Sequence, residues 1–192
     1  MQHPIVRPGE PLLMYPFRVN REKALEVIVY ISKHAPIPDK IHICKTLYFA
    51  DKYHMEKYAR FICGDHYVAM QHGPVPSYVY DLIKAADEGD IPELAVDDFA
   101  VTALRDPKTA MFSKSDIEAL DWAISEFGNV PFNQLIKISH DEIIWQQATN
   151  NGALLYPHTA VKRVPISLES ILSTFGDGDD LLEYLHEYNV AV

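Results

Sequence analysis

The residues best able to do chemistry gather between positions 45 and 83, in the stretch KTLYFADKYHMEKYARFICGDHYVAMQHGPVPSYVYDLI. Cys44, Leu47, Tyr48, Asp51 and Met55 follow one another at steps of three or four, which puts them on one face of a helix. Four of the five suit a core, and Asp51 is the exception. A buried carboxylate is costly unless it accepts hydrogen bonds or meets a cation. Asp51 is therefore expected to hold something, either backbone N–H groups of a neighbouring hairpin or the nearby His72. Holding either makes it a structural clasp. The alternative is a catalytic or ligand-binding carboxylate, in a site around Asp51, His72 and Tyr80.

Other chemistries find little footing. Nine histidines invite a metal site, yet there is no HExxH, no His/Cys pairing at zinc-finger spacing and no EF-hand loop. His66 with His72, or His140 with Glu142, make only loose candidate pairs, so no metal is expected. No GxSxG elbow is present, and neither Cys44 nor Cys63 lies in a recognisable catalytic context. The eight glycines form no phosphate-binding loop. No catalytic residues and no cofactor are assigned.

The elements that must position these residues can be taken in chain order. Residues 1–19 carry prolines at 4, 8, 11 and 16, which suits an extended apolar arm lying on the domain or on a partner. Asn20 caps a nearly all-apolar, central helix over 21–34. The Asp51 helix starts near Asp39, with His42 and Lys45 on its polar side. A hairpin is expected from Arg60–Ile62 to Tyr67–Met70 around Gly64 and Asp65. Gln71 to Pro76 then bends into a helix carrying Val79, Leu82, Ile83 and Ala86, which Gly89 ends. His72-Gly73-Pro74 reads either as that tight bend or as a functional loop. Two short strands follow within 93–104, joined at Asp97-Asp98. Ser115 and Glu118 suggest a capping box for a helix closed by Gly128. Pro131 opens a helix with Leu135, Ile136 and Ile138, and a short helix follows His140. Trp122 and Trp145 read as core anchors, with His140 stacking or hydrogen-bonding beside Trp145. Short helices near 167–173 and over 181–188 finish the chain.

This order of features resembles the Panacea domain, the SocA-like antitoxin family that also includes phage-associated GepA-like proteins. The residues carrying the resemblance are Leu47-Tyr48-Phe49-Ala50-Asp51, Gly64-Asp65, Tyr67-Val68-Ala69-Met70, His72-Gly73-Pro74-Val75-Pro76, and Leu135 through Ser139-His140 to Trp145. Ile144-Trp145 departs from the family's usual Pro-Trp pair. The resemblance implies a non-catalytic protein that neutralises a cognate protein toxin encoded nearby. In the SocA branch it also implies an adaptor that delivers the toxin to a Clp-type protease. The small apolar end, Tyr188 to Val192, could serve such a protease as a handle or be a frayed terminus. Partner-binding or motif residues on this reading are Asp51, Tyr48, His72, Gly73, Pro74, Tyr80, His140 and Trp145. The alternatives are a small enzyme near Asp51/His72 and a phage-related protein-binding regulator.

Bulk properties agree with a soluble interaction protein. The 192 residues suit one domain, 48% hydrophobic and 23% charged. The net charge of −10 argues against nucleic acid as a primary partner and suits either solubility or a basic protein partner. Two cysteines make no secreted disulfide framework. Neither a signal peptide nor a membrane span is expected, so the setting is cytoplasmic. The expected fold is α+β: a mainly helical single domain with a small antiparallel sheet. It divides into an extended arm (1–19), the family domain (20–150) and a C-terminal extension (151–192) packed on the same domain.

Overall fold

The computed structural model describes residues 17–155 and 162–189. Most of the proline-rich arm and the apolar C-terminal end lie outside those residues. Among the described residues eight α-helices surround two small antiparallel sheets. Helix α1 (Arg21–His34) starts at Asn20, whose side chain accepts the Lys23 N–H. It is buried continuously from Glu26 to Ile31, as an apolar-all-round helix requires.

Helix α2 (Lys40–Tyr58) is the axle of the fold and packs on α1, on three of the later helices and on one later strand. Asp39 caps it by accepting the His42 N–H. Every residue from His42 to Asp51 is buried, so over this stretch the helix has no polar side. That corrects the placement of His42 and Lys45 at the surface, since both are at most 1% exposed. His42 lies between the Asp39 carboxylate and the Val130 carbonyl, each 2.8 Å from a ring nitrogen. Burial pushes its pKa down, and those two acceptors more than offset it and raise it above the ordinary value.

The hairpin also differs from expectation. Strand β1 (Tyr67–Met70) pairs with β2 (Gly73–Pro76) across a Gln71-His72 turn, and residues 60–62 form no strand. Gly64 does turn the chain at a positive φ of 71°, but against the Phe17-Arg18 segment: a Cβ there would lie 2.5 Å from the Arg18 carbonyl oxygen. The two prolines of β2 are tolerated because it is an edge strand, in a sheet of order β2-β1-β5 with β5 at Val164–Pro165. Helix α3 (Ser77–Asp87) follows directly, and Gly89 turns beyond its end at a φ of 87°.

Strands β3 (Leu94–Asp97) and β4 (Ala100–Ala103) form the second hairpin with Asp98-Phe99 at its tip. Helices α4 (Lys114–Phe127) and α5 (Phe132–Asp141) pack on α2, and α6 (Ile143–Thr149) packs on α5 and β1. Helices α7 (Leu168–Leu172) and α8 (Gly178–Asn189) close the chain. The capping box of α4 is formed two residues before its expected place, by Ser113 and Asp116, and Gly128 is the C-cap. Trp122 is 36% exposed and stacks on Tyr53, so it is no core anchor, whereas Trp145 is 7% exposed.

Two buried carboxylates link the helices to their neighbours. Glu26 takes a two-pronged bond from Arg105 at 2.6 and 2.8 Å plus the Lys108 N–H. Asp116 receives Lys23 at 2.6 Å, and Arg60 and His54 lie 3.2 and 3.4 Å from its other oxygen. Replacing Ser113 by Ala removes one half of the α4 capping box. A loss of about 1 kcal/mol is expected, to be read as a lower denaturant midpoint at unchanged m-value.

Candidate functional site

The motif residues converge on one object, the β1–β2 hairpin, and grip it mainly through its backbone. From α2, Asp51 accepts the Ile62 N–H at 2.6 Å and the Tyr67 hydroxyl at 2.7 Å. One turn and a half earlier on the same helix, Lys45 donates to the Pro74 carbonyl at 2.7 Å. From the opposite side, the Trp145 indole donates to the Met70 carbonyl at 2.8 Å and the His140 Nε2–H to the Gln71 carbonyl at 2.9 Å. The two rings stack with centroids 4.0 Å apart at 11°, one of the two arrangements left open by the sequence.

Asp65 supplies the fifth grip. Its carboxylate accepts the N–H groups of His66, Tyr78 and Val79 at 2.8 to 3.0 Å. Pro76, at the N-cap of α3, brings no capping side chain, so the orphan donors of the first turn are met by a carboxylate eleven residues upstream of it. Burial raises the Asp65 carboxyl above its ordinary pKa, even against those three donors.

Gly73 explains the His72-Gly73-Pro74 motif. Its φ is +100°, and a Cβ there would lie 2.5 Å from the Ser139 Cβ and 2.7 Å from the Lys45 Nζ. The residue must be glycine because an ammonium group and helix α5 press on it from two sides. This is geometry in support of a site rather than a binding loop in itself.

On the other side of Lys45 is a cavity of about 330 Å³. Cys44 and Lys45 of α2 line it together with Met70, Gln71, His72 and Val75 of the hairpin region and with Tyr80, Phe99 and Leu155. Lys40 and Lys162 also line it, and no carboxylate does so among the described residues. Burial pushes Lys45 down to about 7, and burial together with Lys45 lowers His72. Cys44, also fully buried, is pushed up to about 12, which makes it an unreactive thiol at neutral pH.

The expected site residues therefore separate. His72 and Tyr80 line the cavity, while Gly73 and Pro74 lie behind Lys45. His140 and Trp145 clamp the turn. Tyr48 donates to Glu142 at 2.7 Å, sharing that oxygen with Lys52 at 2.6 Å. Asp51 is not brought to His72: its two oxygens serve Ile62 and Tyr67, while His72 lies edge-on to Phe132 with centroids 5.8 Å apart. The functional residue missed in the sequence is Lys45, whose burial shows only once α2 is surrounded. A lysine in the middle of an otherwise unbroken buried run was the available signal. Among the described residues no group of three or more His, Cys, Asp or Glu could hold a metal ion.

Two substitutions test the clamp. Asp51→Ala leaves a buried N–H and a buried hydroxyl without their acceptor, and a loss of about 2–4 kcal/mol is expected from chemical denaturation. Asp51→Asn keeps the shape and removes the titration. Burial pushes Asp51 up to about 7 from 3.8, so the folded state holds a proton that the unfolded state releases between those values. The stability of the wild type relative to Asp51→Asn should therefore fall as pH rises from about 4 to about 7 and level off above. Gly73→Ala meets both a positive φ and the contacts described, and should cost about 2–4 kcal/mol in the same assay.

Comparison with known proteins places this clamp in a family. Residues 43–146, 104 of the 192, match the family model for the SocA-like antitoxin, Panacea domain. The matched segment opens two residues before Lys45 and closes one residue after Trp145, so it contains all five gripping side chains. No curated protein and no solved structure matches the chain. On the family match, the chain belongs to the SocA-like antitoxin, Panacea-domain family.

Proposed function

We propose that this protein is a non-catalytic antitoxin that neutralises a cognate protein toxin, encoded nearby, by binding it directly in the cytoplasm. Family membership carries the reading. The geometry supports it: Asp51, Asp65, Lys45, His140 and Trp145 bond to backbone of the hairpin region, which makes them builders of a rigid surface. The surface itself is the Gln71-His72 turn with an apolar rim, Phe99 at 59% exposure, Phe132 at 43% and Leu154 at 51%. Exposed large apolar side chains around one mouth mark a protein contact surface. The net charge of −10 attracts a basic partner to the molecule as a whole. Delivery of the bound toxin to a Clp-type protease is the finer form of the same proposal.

An enzyme reading has one observation in its favour, the Asp51 carboxyl raised to about 7. Asp51 is fully buried and outside the cavity, so such a group would have no substrate beside it. Asp51→Asn separates the two readings, because a binding protein keeps its activity in this variant.

The experiment is co-expression with the product of the adjacent gene. Toxicity of the neighbour alone, relieved by this protein in a stoichiometric complex, is the expected result. Phe99→Asp and Phe132→Asp should weaken rescue and co-purification at least about 10-fold. As surface changes, they should shift stability by no more than about 0.5 kcal/mol. A harmless neighbour, or rescue with no complex, contradicts the proposal.

A further inference from the structure

The cavity beside the hairpin turn holds a charge arrangement that neither the fold nor the antitoxin reading accounts for. Lys45 is 0% exposed, lines this cavity, and has the Pro74 carbonyl as its acceptor at 2.7 Å. An ammonium group has three donors, and two of them have no acceptor among the described residues. A buried ammonium without an anion is one of the costlier things a core can contain. The fold could have used methionine here to fill the same volume, and the hairpin would lose one of several grips.

The surroundings repeat the sign. Lys40, Lys162 and His72 share the lining, with Lys40 also paired to Asp87 at 2.7 Å. Among the described residues no carboxylate lines the cavity, in a protein whose acidic residues exceed its Lys and Arg by ten. The remaining walls are apolar: Ile41, Met70, Val75 and Leu155, with the rings of Tyr80 and Phe99. A volume of about 330 Å³ falls at the lower end of the ~300–1,000 Å³ typical of small-molecule sites.

We infer that this cavity is a binding site for a small organic carboxylate, with its charged end at the Lys45 ammonium and its apolar body along Ile41, Val75 and Leu155. The charge of the ligand answers the two open donors, and its body answers the apolar walls. A phosphate monoester would leave those walls against a dianion, and an uncharged apolar molecule would leave the ammonium alone. Burial, which already holds Lys45 near 7, is the cost the ligand's carboxylate offsets. The site stands independently of the antitoxin reading, because it rests on Lys45 and the walls alone.

The test is titration of the full chain with octanoate and benzoate, each against its neutral amide, octanamide and benzamide, followed by calorimetry and amide chemical shifts. Expected is saturable binding of at least one carboxylate, with shifts centred on Lys45, His72 and Val75, and at least about 10-fold weaker binding of its amide. Lys45→Met should lose the carboxylate preference by a similar factor. Should this variant fail to fold, the acid–amide contrast in the wild type decides alone. Absence of binding by either carboxylate up to about 10 mM, well beyond a weak ~1 mM ligand, overturns the inference. So does an amide that binds as well as its acid, or a folded Lys45→Met that binds unchanged.

Discussion

A β-strand with two prolines cannot hold its place by its own ladder. Strand β2 reads Gly-Pro-Val-Pro, so two of its four residues have no N–H to offer, and its partner β1 is equally short. Isolated pairs of this length are marginal in water. Here the deficit is made up by side chains that reach the backbone from four directions: Lys45 and Asp51 from α2, Trp145 from α6, His140 from α5, and Asp65 from the loop before β1. Most of these bonds meet buried or part-buried carbonyl, N–H or hydroxyl groups, where an unmet partner is costly. The placement of α3 follows from the same device, since Asp65 caps the helix that β2 runs into.

This arrangement bears on how a family motif should be read. Its polar members look like an active site when written along the chain: a carboxylate, two histidines, tyrosines and a glycine-proline turn. In space they are dispersed around the hairpin and face its backbone. What they produce is a turn of fixed shape with an apolar rim, which is what a protein that works by contact requires. Lys45, whose acceptor among the described residues is the Pro74 carbonyl, also lines the cavity beside the hairpin.

Much of the framework was legible where the determinant is local. Asn20, Asp39, Gly89 and Gly128 begin or end helices at or within a residue or two of the expected places, because caps act over three or four residues. Asp51 was legible as a clasp because a lone carboxylate interrupts an apolar stripe. Determinants at long range were not. Nothing near position 45 says that hairpin, α3 and α5 will all close over α2, so Lys45 and His42 read as surface residues. The hairpin was placed one strand too early because Cys-Gly-Asp-His resembles a turn. Its glycine turns the chain against residues 17–18, and its aspartate caps a helix beyond the next strand. The box at Ser113 was displaced to Ser115 because serines at both positions precede an acidic residue by three.

The central claim is that side chains, rather than the ladder, hold the hairpin and its flanks. Native-state amide hydrogen exchange at Ile62, Tyr78 and Val79 tests it most directly. None of these amides has a partner in a strand or helix ladder; each bonds to the Asp51 or Asp65 carboxylate. The account predicts exchange as slow as the buried amides of α2, with opening only near the global unfolding free energy. Exchange at the rate of an unprotected loop would contradict it.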